Sequence, residues 1–200
     1  DAYILFRRAF SSPVVRNNTK RCLLVTCVLI ASCILLLKVV LRIDAELKWA
    51  KVAQISLTEN KEDIFSGYQN LMQILGREPY FLYNYAAELY IAQHYEEALD
   101  LAKHCRIYWA DYDLELLQGD IFYKLGRYEE AERHYLLASQ MCPVRFIPLY
   151  KLYTLYQAKG ETEKINDMGN IILSKPVKVN SIMIQSIKKQ IKKDLRGNEI

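Results

Sequence analysis

The sequence predicts an all-α fold: a short solenoid of antiparallel helix pairs with a C-terminal capping helix, preceded by one transmembrane helix. Three observations predict it. Small and aromatic residues alternate in blocks that recur, so that Gly126 and Gly160 lie 34 residues apart. Sixteen residues from Cys22 to Leu37 carry no charge. Near the C-terminus, Ile184, Ile187, Ile191 and Leu195 follow helical spacing and share one face.

The stretch from Tyr112 to Arg145 organises the rest. Gly119, Gly126, Ala131 and Ala138 interleave with Phe122, Tyr128 and Tyr135. Two helices that cross closely need small residues at the contact and rings beside it, and Gly126 supplies a turn residue free to adopt positive φ. Pro143 stops the second helix. In order and register, these residues resemble a tetratricopeptide repeat, whose period is about 34 residues. Glu115 departs from that pattern, standing where the family usually has a large aromatic.

A repeat cannot bury its apolar face alone, so neighbours are required. Upstream, Ala86, Leu89, Tyr95, Ala98 and Ala102 fall at equivalent places, with Ala98 and Ala131 33 residues apart, which implies a linker shortened by one residue. Downstream, Leu149, Leu152, Tyr153, Tyr156, Gly160, Ile165 and Pro176 form another unit, with Gly169 where an aromatic is expected. A degenerate fourth unit spans Ala45 to Pro79, with Trp49 opening its first helix and Leu71, Ile74 and Leu75 lining its second. The repeat domain is placed at residues 44–179 and the capping helix at 180–200, where Asn180 or Ser181 serves as the cap.

The uncharged run, extended by Val39, Val40 and Leu41 past Lys38, is read as a transmembrane helix over residues 22–41. About 20 apolar residues cross the hydrocarbon, and a terminal Lys reaches the head groups. A cleaved signal peptide is the competing reading, and Ile30-Ala31-Ser32-Cys33 looks like a lipoprotein box. The apolar run continues past that cysteine, which argues against cleavage. Residues 1–21 form a basic juxtamembrane segment, with Tyr3 to Phe6 a short apolar run that could end an earlier membrane helix. Arg7, Arg8, Arg16, Lys20 and Arg21 precede the helix while Arg42, Lys48 and Lys51 follow it. That excess puts the N-terminal side in the cytoplasm and the repeats outside. The chain opens on Asp1 rather than Met, as a processed chain or a piece of a longer one would.

Composition excludes several function classes. A net charge of +4, balanced over the repeats, gives no nucleic-acid footprint. The five cysteines show no paired spacing, and Cys105 takes the small-residue place that Ala138 fills in the next repeat, as a packed thiol. His94, His104 and His134 lack metal-ligand spacing, so no metal, no cofactor and no catalytic residue is expected. Asp111, Asp113, Glu115 and Asp120 read as a wetted acidic face, and Lys188, Lys189, Lys192 and Lys193 as the solvated side of the last helix.

Tyrosine stands out instead, with 15 in the chain. The repeat register places Tyr83, Tyr90, Tyr123, Tyr150 and Asp120 on first-helix positions that would line a concave groove. Rings with a polar tip suit an extended peptide or a glycan. Tyr83 and Ala87 stand where carboxylate-clamping repeats use Lys and Asn, which disfavours a C-terminal carboxylate as the partner.

Phe81 to Leu89, Met141 to Leu152 and Lys175 to Ser181 are together similar to the C-terminal region of bacterial O-antigen ligase or polymerase-like membrane proteins. The resemblance implies a bacterial inner-membrane protein of cell-envelope polysaccharide assembly, with its repeat domain on the periplasmic side. It carries over no catalytic residue, because the membrane core is absent from this chain. The alternative is a freestanding single-pass adaptor in envelope assembly or secretion.

Overall fold

The computed structural model describes residues 13–55, 61–179 and 181–197, and all its regular structure is helical. The expectations for Tyr3 to Phe6 and for an Asn180 cap lie outside these residues. Helix α1 runs unbroken from Pro13 to Ile55, so the apolar run and the first helix of the degenerate unit are one element of 43 residues. Nothing between Leu41 and Trp49 could end it, since that stretch holds neither Pro nor Gly. Trp49 therefore sits inside a helix and does not open one. The C-terminal third of α1 packs on α2 (Lys61–Leu75), burying Ala45 and Val52 against it. Gly67 makes the approach close, because a Cβ there would meet a Val52 methyl at 2.6 Å. Leu71 and Leu75 line this seam as expected, whereas Ile74 points outward and is 44% exposed.

Three helix pairs follow: α3 (Pro79–Ile91) with α4 (Tyr95–Arg106), α5 (Tyr112–Lys124) with α6 (Tyr128–Met141), and α7 (Ile147–Lys159) with α8 (Thr162–Ser174). Pro79 starts α3 with a ring that needs no donor, and Asp111 caps α5 by accepting the Asp113 N–H at 2.8 Å. Gly126 and Gly160 turn their pairs at φ 72° and 71°. Gln93 takes the same conformation at φ 68° in the first pair, where no glycine is available. Both connections between repeats, 107–111 and 142–146, are five residues long, so the linker is not shortened. The missing length lies in α4, which has 12 residues against 14 in α6.

The core is one continuous apolar column running through all the pairs. Tyr68 of α2 stacks on Tyr85 of α3 with centroids 4.6 Å apart, joining the degenerate unit to the first clear repeat. In the middle repeat a Cβ on Gly119 would sit 2.5 Å from the Tyr135 ring, so the glycine exists to admit that ring. Cys105 is fully buried and donates to the Pro79 carbonyl, and burial pushes its thiol up to about 11. Helix α9 (Ile182–Gly197) packs on α8, burying Ile187 and Ile191 with Ile184 and Leu195 at its margin. Gly169 admits Leu195 and Ile191, which occupy the space the expected aromatic would fill.

Three charged groups depart from the expectation of a wetted face: Asp120, held by Tyr135 and Lys151, and the two that follow. Glu115 does not face water: it is 2% exposed, accepts from His134 Nδ1–H at 2.7 Å and pairs with Arg106 at 3.4 Å. Lys188 is not solvated like its neighbours, since its ammonium donates to the Leu173 and Lys175 carbonyls at 2.9 and 2.7 Å. It thereby satisfies carbonyls at the end of α8 that the helix leaves open.

Candidate docking surface on the first helices

Equivalent residues of α3, α5 and α7 form two rows across the repeats. Tyr83, Leu116 and Tyr150 make one row, and Tyr90, Tyr123 and Gln157 the other. Seven residues, two helical turns, separate the rows along α3 and α5. Helix α3 touches α5 directly across the repeat boundary, so the rows lie on adjoining surfaces. Every member except the exposed Gln157 is half-buried and packs in part against the core.

Neighbouring rings hold these tyrosines in place. Tyr83 meets Trp109 edge-on at 5.6 Å, Tyr90 leans on Tyr95 at 5.8 Å, Tyr123 on Tyr128 at 5.7 Å, and Tyr150 stacks on Tyr153 at 6.4 Å. Aromatic pairs at these separations restrict the ring. Burial first, and the Asp120 charge among the causes after it, push Tyr83 up and push Tyr90 up to about 12. Near neutral pH these hydroxyls are protonated and can both donate and accept.

Asp120 stands between the rows. Its Oδ1 accepts from the Tyr135 hydroxyl at 2.6 Å and its Oδ2 from the Lys151 ammonium at 2.8 Å, fastening α5 to α6 and α7. Burial, with that carboxylate beside it, drives the Tyr135 hydroxyl far above its ordinary range. Asp120 is thus a clamp across three helices. At the far end Tyr150 and Gln157 share a cleft with Met183, Ile187 and Asp194 of α9. Asp194 accepts from Tyr153 at 3.3 Å and Gln157 at 3.4 Å, so α9 bounds the surface.

Sequence reasoning overlooked Trp109, Lys151 and Asp194. Trp109 lies in a connection outside any repeat position, and Lys151 and Asp194 reach their partners across 31 and 41 residues. No local pattern signals such pairs. Among the described residues, no group of three His, Cys, Asp or Glu side chains is gathered so as to hold a metal ion.

No protein-family model matches the chain, and no curated protein sequence does. Solved structures match the fold. The chain is similar to a MamA RS-1 double mutant, with TM-score 0.61 and 11% identity over 74% of this chain and 76% of that one. It is similar to residues 41-end of MamA from Desulfovibrio magneticus RS-1, with TM-score 0.60 and 11% identity over 73% and 76%. Pseudomonas aeruginosa PilF gives TM-score 0.60 and 12% identity over 78% of this chain and 70% of that one. These are tetratricopeptide-like helical-repeat proteins, and at such identity they establish the fold alone. The resemblance to O-antigen ligases finds no match among family models or curated sequences. Much of the quoted stretches has packing roles, with Phe81, Leu82, Phe146 and Pro148 all buried.

Proposed function

We propose that this chain is a membrane-tethered helical-repeat scaffold whose first-helix face docks an extended segment of a partner protein. The observation that carries it is the double row of half-open side chains, tyrosine at four of six places, around Asp120. Packed helices sit about 8–10 Å apart. An extended chain rises about 3.3 Å per residue, so every third residue of a crossing segment would meet the next side chain of a row. A glycan could use the same hydroxyls, but a helical-repeat fold favours a protein. The anchor is α1, whose stretch from Cys22 is long and apolar enough to cross a bilayer, with a mean hydropathy of 2.8. The charge excess before it would place the repeats on the far, periplasmic face of a bacterial inner membrane. An envelope-polysaccharide role rests only on the three stretches quoted above.

The test is selection of peptides from a random library on the full chain in lipid nanodiscs. The Tyr90→Ala, Tyr123→Ala double variant should then bind the selected peptide about thirtyfold more weakly per anchor, at about 2 kcal/mol each, and about eight-hundredfold more weakly if the two add. Unchanged affinity in a variant of unchanged helix content would contradict the reading.

A further inference from the structure

The edge of the solenoid formed by its repeat-to-repeat connections mixes exposed apolar and tyrosine side chains with Arg77, Arg106 and Arg145, and sits level with the end of the long apolar run of α1. Helix α1 leaves that run at Leu41 and continues 14 residues to Ile55, about 21 Å at 1.5 Å per residue. Helices α2 to α8 have 12 to 15 residues, a layer of nearly the same height. Because consecutive helices alternate in direction, the connections after α2, α4, α6 and α8 share one edge. That edge begins beside residue 41: Arg42 pairs with Glu78, and Lys38 and Leu41 line one cleft with Arg77 and Tyr108.

The side chains there are unlike an ordinary wetted edge. Ile107 is 73% exposed and Tyr80 60%, with Ile74, Tyr108 and Val144 also open. Among the described residues the opposite edge shows Gln93, His94, Arg127 and Gly160, and Ile91 is its one exposed large apolar side chain. Apolar and tyrosine side chains beside Arg, at the depth where a spanning helix emerges, are the composition of a membrane–water interface.

Resting on the reading that α1 spans the bilayer, we infer that this edge lies on the bilayer: the connections at 76–79 and 107–111 insert Ile107 and the Tyr80 and Tyr108 rings among the lipid head groups. The solenoid then lies along the membrane, not away from it, and its first-helix surface opens sideways over the lipid. The occupant is the lipid interface because α1 delivers the edge there, whichever side of the membrane the repeats occupy.

The experiment uses the full chain with its five native cysteines replaced by alanine, reconstituted in phosphatidylcholine–phosphatidylglycerol vesicles. A nitroxide is attached in turn at Leu35→Cys, Ile107→Cys and Gln93→Cys. Collision rates with oxygen and with a water-soluble nickel chelate then report depth. The inference expects the label at 107 to favour oxygen over nickel several-fold more than the label at 93. A label at 107 as open to nickel as that at 93, while 35 reads hydrocarbon, would overturn the inference and leave the anchor intact. A label at 35 in water would sink the anchor and the inference with it. Shielding at 107 from both reagents, with broadening between labels, would show a second copy on this edge and overturn the inference too.

Discussion

Glu115 shows what a single residue does in this fold. It stands at the repeat position that Leu82 and Leu149 fill, yet it is buried on His134 and Arg106. Replacing it with alanine leaves His134 Nδ1 without its acceptor, which costs about 2–3 kcal/mol by the penalty for a broken buried pair. Urea denaturation of Glu115→Ala measures that loss, and an unchanged midpoint would mean the carboxylate is wetted after all. Gln93 makes the opposite case. An L-residue at positive φ costs about 1–2 kcal/mol, and Gly126 and Gly160 avoid that cost at the equivalent turns. Gln93→Gly should therefore raise stability by about 0.5–1 kcal/mol, less than the full relief because glycine loses more entropy on folding. A fall in the urea midpoint would contradict the turn assignment. The buried tyrosines set a pH dependence. Tyr135 is held far above, and Tyr90 at about 12 against an ordinary 10.0, so the folded state keeps protons that the unfolded chain releases. Their share of the stability is whole below pH 10 and is lost as pH rises from there towards 12 and beyond. Circular-dichroism melts across that range should show the fall, and Tyr135→Phe should flatten it.

At the scale of elements, helix pairing was legible because it rests on local signals: small residues at the crossings, Gly126 and Gly160 at two of the turns, the capping Asp111, and Pro79 and Pro143 at boundaries. The Gly119–Tyr135 contact belongs to this level. Gly119→Ala forces a methyl against the ring, costing about 1–3 kcal/mol, and the pair α5–α6 should loosen first in hydrogen exchange. Exchange unchanged from the parent chain would refute the register. What stayed hidden were features decided across distance. The unbroken helix through Trp49 was missed because an apolar run and an amphipathic run look like two elements, although nothing between them breaks a helix. The place of Gly169 was unreadable because Leu195 and Ile191 fill it from a helix beyond the repeats. Lys188 read as one more lysine of a basic face until the end of α8 gave it two carbonyls to hold.

At the scale of the molecule, one geometry carries both proposed surfaces. The first helices present tyrosine rows braced by their own ring partners, while α1, on the proposed reading, would set how the column meets a bilayer. The rows were legible in the sequence because they follow the repeat period; the Asp120 clamp on Tyr135 and Lys151 was not, since its partners come from two other helices. The most direct measurement of the central claim is photo-crosslinking in native membranes, with p-benzoyl-phenylalanine replacing Tyr123 in the full chain. A membrane-tethered docking scaffold gives a discrete protein adduct in the carbonate-resistant fraction, and adding Tyr90→Ala abolishes it. No adduct at Tyr123, or one indifferent to Tyr90 and equally formed from Leu136 on the outer helix, would contradict the account.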